Sequence, residues 1–119
     1  GYKQIAQFIK NNNEYQKIII DPRFGDGGIY AGVPHLYIPY FTNMDPNLML
    51  KSKKIINGIE IDKYEFRNID WNTEKINPNY LYIVPKYNYP AGIYLSTLKK
   101  IKDIQLPNHK EAFGIYTAN

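Results

Sequence analysis

An aspartate and a glycine-rich loop follow the most apolar short run of this sequence. Asp21 comes directly after three consecutive isoleucines, and Gly25, Asp26, Gly27 and Gly28 follow within a few residues. A loop between a buried strand and a helix is where α/β folds bind phosphates, because free amides and the helix dipole attract anions. The spacing matches neither a dinucleotide fingerprint nor a P-loop, and Asp26 would repel a phosphate. We predict a structural turn, with Asp21 and the loop as the alternative ligand-binding residues.

Other residues with acid–base or metal-binding capacity are scattered along the chain. Neither His35 nor His109 has a carboxylate at helical spacing, and cysteine is absent, so no metal site is predicted. Asp45 and Asp70 join the two aspartates above as candidates for a general acid and base pair, but no pattern brings two of them together. No G-x-S-x-G nucleophile elbow occurs. A small carboxylate hydrolase is therefore the least favoured function, and no catalytic residue is assigned.

Aromatic residues are abundant, with 12 tyrosines and a single tryptophan, Trp71, among 119 residues. Aromatic faces stack on sugar rings, but tyrosine also serves as a large core residue that keeps its hydroxyl at the surface. For Trp71 we favour a core anchor over an exposed stacking platform. The net charge is +4 and the charges are interspersed, which argues against nucleic acid as a partner.

Hydrophobic spacing indicates the elements that would position these residues. Apolar residues at i, i+3, i+4 and i+7 predict an amphipathic helix over residues 2–10, and residues 17–21 are typical of a buried strand. Short helices are predicted over 34–42 and 46–50, since each begins with a proline suited to a first helical turn. A further helix is predicted over 91–102, because apolar residues recur at helical spacing and lysines occupy its last turn.

Further strands complete the predicted sheet. Asn57 and Gly58 lie between isoleucines, which favours a two-residue hairpin turn, with a helix end at Gly58 as the alternative. Strands are also predicted over 64–69, 80–84, 103–106 and 112–118, the last two forming a closing hairpin. We predict a single α/β domain over residues 1–119. Its sheet is mostly parallel or mixed, with four to five strands, helices on both faces and a C-terminal hairpin. A helical pattern begins at the second residue, so we expect a fragment of a longer protein.

Several segments in a fixed order resemble a known family. They are YKQIAQFI, KIII, LYIPYFTNMDP, YEFRNIDW, YLYIVP and AFGIY. In this order they are similar to the soluble, extracytoplasmic C-terminal region of multi-spanning membrane glycosyltransferases. These enzymes include the dolichyl-phosphate-mannose protein mannosyltransferases and the prokaryotic aminoarabinose transferases. The resemblance covers nearly the whole chain.

The resemblance implies a non-catalytic accessory domain. In that family the catalytic aspartate lies in an early loop between transmembrane helices, and no part of this chain matches that region. Phe66, Arg67, Asp70 and Trp71 occupy the family's aromatic-arginine-aspartate-tryptophan stretch. By resemblance, Arg67, Asp70 and Trp71 join the glycine loop as candidate ligand-binding residues.

The resemblance also implies a location at the extracytoplasmic face of a membrane. There the domain would cap the membrane-embedded portion of the same chain and help position an acceptor or a lipid-linked donor. The fragment needs no cofactor of its own, while the parent enzyme would use a polyprenyl-phosphate sugar, with a glycan, lipid-linked sugar or protein as acceptor. The alternative is a free-standing, doubly wound module that uses Asp21 and the glycine loop to bind a nucleotide or sugar phosphate.

Overall fold

The computed structural model shows a β-sheet with the helix α1 packed against it in the part of the chain that it describes. It describes residues 2–12, 14–21, 47, 51–56, 58–90, 96–105 and 111–118. The helix α1 (Tyr2–Asn11) comes first, and a 3-10 turn (Lys86–Asn88) follows the fifth strand. The strands are β1 (Lys17–Ile20), β2 (Lys53–Ile55), β3 (Gly58–Ile61), β4 (Tyr64–Arg67), β5 (Tyr80–Pro85), β6 (Leu98–Gln105) and β7 (Glu111–Ala118).

Seven strands form one mixed sheet in the order β2-β3-β4-β1-β5-β7-β6. The central strand β1 is parallel to β4 on one side and to β5 on the other. β2, β3 and β4 form an antiparallel meander, and β7 pairs antiparallel with both β5 and β6. Because β4 and β5 flank β1, the connection over residues 68–79 has to cross β1. We call this segment the crossover.

α1 covers one face of the sheet because its apolar residues share one side of the helix. Ile5, Ala6 and Ile9 are buried in the same cluster as Ile18 and Ile20, alternate residues of β1. We call this cluster the helix-side core. Its other buried members come from the strands and are Ile61, Tyr64, Phe66, Leu81, Ile83, Ile104, Phe113 and Ile115.

The crossover covers the opposite face of the sheet. Ile19 points away from α1 and is buried with Tyr82 and Val84 of β5, because successive residues of a strand face opposite sides. Ile69 and Trp71 of the crossover close this crossover-side core, which also contains Leu98 and Tyr116. β1 and β5 are therefore buried on both faces, as their continuous apolar runs predict.

The predicted fold class is wrong in two respects. The sheet has seven strands instead of four to five, and helices do not cover both faces in the part of the chain that the structure describes. The crossover begins with a single turn, in which Thr73 and Glu74 donate to the Asp70 carbonyl, and it does not continue as a helix. Pro78 and the neighbouring asparagines are poor helix formers, which accounts for the irregular path.

The helix predicted over 91–102 is also wrong where the structure describes it, because Leu98–Gln105 is strand β6. The helix over 2–10, the strand over 17–21 and the closing hairpin are confirmed as α1, β1 and the β6–β7 pair. The hairpin near Gly58 is confirmed too, but Gly58 belongs to β3 and pairs with Ile55. The predicted helices over 34–42 and 46–50 fall outside the described residues, except for Asn47, which is helical.

Candidate functional site

Three chain segments meet at one edge of the sheet, where the parallel strands end. Asp21 follows β1, Ile69 lies just past β4, and Asn88 lies in the turn after β5. Because β1, β4 and β5 run in the same direction, their carboxyl ends lie side by side. This edge is where α/β sheets usually place their ligands. It is the arrangement that made Asp21 a candidate from sequence.

The Asp21 carboxylate ties these three ends together. Its Oδ2 atom accepts hydrogen bonds from the Ile69 backbone amide at 3.1 Å and from the Asn88 side-chain amide at 3.0 Å. The same Asn88 nitrogen donates to the Ile69 carbonyl at 2.8 Å, and the Asp21 amide donates to the Ile83 carbonyl at 2.9 Å. Asp21 is fully buried. An ionised or polar group at such depth is stable when donors surround it, so this carboxylate fixes the strand ends.

Trp71 extends the same arrangement into the crossover-side core. Its indole Nε1 donates to the Asn88 backbone carbonyl at 2.7 Å, and its ring lies 6.0 Å from the Tyr82 ring, centroid to centroid. The side chain is 8% exposed. The structure therefore places Trp71 as a core anchor whose N–H has a partner, in agreement with the favoured prediction. Asp21, Ile69, Trp71 and Asn88 are called the carboxyl-edge cluster below.

Arg67 lies in a separate group of charged side chains. Its guanidinium makes a two-pronged ion pair with Glu74 of the crossover, at 2.7 and 2.8 Å, and a third contact with Glu65 at 2.9 Å. The hydrogen bonds to Glu74 raise the pKa of Arg67, outweighing burial, and those to Glu65 add to the effect. This pairing holds the crossover against β4, so the Arg67 guanidinium has a structural role.

Lys17 continues this group across three strands. Its Nζ lies 2.7 Å from Glu65 on β4 and 3.1 Å from Glu60 on β3, and Glu60 also pairs with Lys53 on β2 at 3.1 Å. The hydrogen bond to Glu65 raises the pKa of Lys17 against the opposing effect of burial, and that to Glu60 adds to it. We call the six side chains the charge network: Lys17, Lys53, Glu60, Glu65, Arg67 and Glu74.

Two glutamates of the charge network, Glu60 and Glu65, are held in their ionised form. Hydrogen bonds from Lys53 and then Lys17 lower the pKa of Glu60. Burial acts to raise the pKa of Glu65, but the hydrogen bonds from Lys17 and Arg67 outweigh it, so its pKa is also lowered. The network has three acidic and three basic side chains, and their ion pairs connect neighbouring strands and the crossover, as in a structural network.

The remaining predicted site residues lie elsewhere. Asp70 is exposed, and its carboxylate accepts from the Asn72 amide at 3.0 Å, which stabilises the turn that starts the crossover. Gly25, Asp26, Gly27 and Gly28 fall outside the described residues. Within those residues, no three His, Cys, Asp or Glu side chains gather as a metal site requires. No helix among them is long and apolar enough to cross a membrane.

Sequence reasoning missed the partners that complete these groups. Asn88 carries no motif, and its place beside Asp21 depends on β5 lying next to β1. Lys17, Glu60 and Glu74 belong to no sequence motif, because their pairing depends on strand register and on the crossover. Alternation in β4 places Glu65 and Arg67 on one face, and this was the available signal that charges cluster there.

Comparison with known proteins finds no relative: no family model, no curated protein and no solved structure matches this chain.

Proposed function

We propose that this chain is a non-catalytic accessory domain of a lipid-phosphate-sugar-dependent membrane glycosyltransferase. The observation that carries the proposal is the order of its aromatic segments, with YEFRNIDW over residues 64–71 at its centre. This order resembles the extracytoplasmic C-terminal region of those enzymes. The proposed location is the extracytoplasmic face of the membrane, next to the membrane-embedded portion of the same chain.

The contacts of residues 64–71 support a structural use of this segment. Phe66 is buried in the helix-side core, Arg67 pairs with Glu65 and Glu74, and Trp71 is buried in the crossover-side core. Asp70 stabilises the exposed turn between them. Arg67 and Trp71 fix the crossover on the sheet, which suits a domain that presents a rigid surface to a neighbouring active site.

In this proposal the parent enzyme performs the transfer. A polyprenyl-phosphate sugar serves as donor, and a glycan, lipid-linked sugar or protein serves as acceptor. The accessory domain positions one of these substrates over the membrane site. Contacts far from the reacting atoms are expected to orient the substrate in the membrane site. Their loss should therefore lower the rate of sugar transfer as well as the affinity for the substrate.

The test starts from the gene that encodes this chain. We expect several membrane-spanning segments upstream of residue 1, and we expect the purified full-length enzyme to transfer sugar from a polyprenyl-phosphate donor. Removal of residues 1–119 should abolish transfer or change acceptor preference, while a full-length Lys54→Met variant, altered at an exposed lysine, should behave as the parent. An upstream region without membrane spans, or unchanged kinetics after the deletion, would overturn the proposal.

A second candidate function rests on the carboxyl-edge cluster. Asp21 ends a strand flanked by two parallel neighbours, which is the usual place for a nucleotide or sugar-phosphate site. Titrating the chain with nucleotides and sugar phosphates while recording Trp71 fluorescence tests this module, because Trp71 contacts Asn88 within the cluster. Constant fluorescence across both ligand classes would exclude it.

A further inference from the structure

A groove runs between α1 and the edge strand β6, on the face of the sheet opposite Trp71. Its volume is about 630 Å³. Ligand sites for small molecules usually enclose about 300–1,000 Å³, so the groove is large enough for one or two sugar rings. It lies apart from the carboxyl-edge cluster and from the charge network, since none of their residues lines it.

The helix side of the groove carries carboxamides at helical spacing. Gln4, Gln7, Phe8 and Asn11 fall at i, i+3, i+4 and i+7 and line the groove as one stripe. Gln4, Gln7 and Asn11 are exposed, and Phe8 is half-buried against the helix-side core. Ile5, Ala6 and Ile9 form the buried stripe beside it. The polar stripe is thus held in place by a packed apolar one.

The strand side adds one carboxamide and one charge of each sign. Lys102, Asp103 and Gln105 line it, and the Lys102 ammonium lies 5.9 Å from the centre of the Phe8 ring. Asp103 is paired with Lys100 at 2.8 Å. Because Lys100 neutralises Asp103, Lys102 leaves this side with one net positive charge, which attracts anions only weakly.

Carboxamides dominate the lining, because Asn12 joins the three on α1 and Gln105 on β6. Each carboxamide offers two N–H donors and one carbonyl acceptor, which matches hydroxyl groups that both donate and accept. One aromatic side chain supplies an apolar surface for C–H groups. Sugars without charged groups combine these two features at high density.

We propose that this groove binds a neutral oligosaccharide, using the carboxamides of Gln4, Gln7, Asn11 and Gln105 for its hydroxyls and Phe8 for a ring face. The inference does not rest on the glycosyltransferase proposal, because it is drawn from the lining of the groove. It assigns a binding surface to α1, where none of the candidate ligand-binding residues named from the glycine loop or by resemblance lies.

The experiment is a titration of the 119-residue chain followed by NMR of backbone and side-chain amides. The probes are four neutral oligosaccharides, made of mannose, α-linked glucose, β-linked glucose and N-acetylglucosamine, with a sulfated heparin oligosaccharide as the charged comparison. We expect at least one neutral probe to shift the side-chain amide signals of Gln4, Gln7 and Gln105 in a saturable way, with Kd of about 1 mM or tighter. Trp71 fluorescence should stay constant.

Variants separate binding from folding. Gln4→Ala and Gln7→Ala each remove a carboxamide and favour the helix, since alanine is the best helix former. Each should weaken binding of the neutral probe about fivefold, the effect of one lost hydrogen bond. Gln16→Ala removes an exposed carboxamide outside the groove and should leave binding unchanged.

Three results would overturn the inference. They are no saturable shift with any neutral probe up to about 10 mM, binding of the sulfated probe alone, and equal loss of binding in Gln7→Ala and Gln16→Ala. Failure here leaves the deletion test of the full-length enzyme unaffected, because that test measures transfer and not sugar affinity of this groove.

Discussion

One carboxylate oxygen of Asp21, Oδ2, accepts hydrogen bonds from both the Ile69 backbone amide and the Asn88 side-chain amide. The residue has no exposure to solvent. An ionised carboxylate accepts hydrogen bonds and donates none, so it suits a place where two donors converge. Asparagine is close to aspartate in size and keeps one acceptor oxygen, whereas leucine is larger and accepts no hydrogen bond. The cost of an unpaired buried donor is what makes this position sensitive to substitution.

We predict that Asp21→Ala lowers the free energy of unfolding by about 3 kcal/mol, because two donors lose a charged acceptor. Asp21→Asn keeps one acceptor oxygen and should cost less. Urea unfolding followed by Trp71 fluorescence measures both changes. Asp70→Ala is the matched control: this exposed aspartate stabilises a turn, and its loss should cost about 1 kcal/mol or less. An Asp21→Ala protein as stable as Asp70→Ala would contradict the assignment.

At the scale of elements, strand β6 shows why one region was predicted wrongly. Leu98 is buried, Ile101 half-buried and Ile104 buried, so apolar residues recur every third position. This spacing is typical of a helix, yet it arises from a β-bulge between Lys100 and Lys102. The extra residue shifts the alternation, so Leu98 packs in the crossover-side core and Ile104 in the helix-side core. A bulge depends on pairing with β7 and leaves no local signature.

The elements that were predicted correctly have local signals. α1 has an unbroken helical stripe, β1 and β5 are continuous apolar runs, and Asn57-Gly58 marks a hairpin. The residues of the carboxyl-edge cluster and the charge network were also only partly indicated by the sequence. Asp21 and Trp71 stood out because each is an unusual residue at a strand end, whereas Asn88 and Lys17 acquire partners through long-range pairing. Which residues become their partners depends on strand register and on the path of the crossover, and neither can be read from local sequence.

The charge network gives a prediction at the element scale, because Lys17 of β1 joins β3 and β4. Glu60 and Glu65 are directly opposite in the β3–β4 pair, and Lys17 separates their charges. Lys17→Met should lower the free energy of unfolding at neutral pH by about 1 kcal/mol, since two partly buried glutamates then face each other. Lys54→Met, at an exposed position of β2, is the control and should have no measurable effect.

The stability difference between the wild-type chain and Lys17→Met should depend on pH, because the pKa values of Glu60, Glu65 and Lys17 are shifted. Glu60 and Glu65 have lowered pKa values, so their contribution is present above their ordinary pKa of 4.5 and lost as pH falls through the folded-state values. Lys17 has a raised pKa, so its contribution is present below 10.5 and lost as pH rises through its folded-state value. Urea unfolding at several pH values should show the wild-type advantage over Lys17→Met shrinking at both extremes. An advantage independent of pH would exclude ion pairing as its source.

For the whole molecule, burial is concentrated on the two central strands. Ile18, Ile19 and Ile20 of β1 are fully buried, and β5 is buried along most of its length, whereas β2 is short and exposed at the sheet edge. Strands covered on both faces open only when the whole domain unfolds. Stability should therefore fall steeply from the centre of the sheet to the β2 edge.

Amide hydrogen exchange measured by NMR tests this gradient. The amides of β1 and β5 should exchange most slowly, at rates set by global unfolding, and those of Lys53 and Lys54 in β2 should exchange fastest among the strands. The amides of α1 should be intermediate, because its packed face is tied to the helix-side core. Exchange in β2 as slow as in β1 would show that the sheet opens as one unit.

The position of β1 at the centre also shapes the route to the native state. Ile18 pairs with Tyr64 and with Leu81, both distant in sequence, so β1 gains neither neighbour until long stretches of chain have been brought together. The β2–β3–β4 meander and the β6–β7 hairpin need only local closure and can form first. We therefore expect β1 to insert late, because its pairing requires the closure of long loops. Until then its three consecutive isoleucines would be open to other chains, so we expect this strand to be an aggregation-prone segment of the newly made protein.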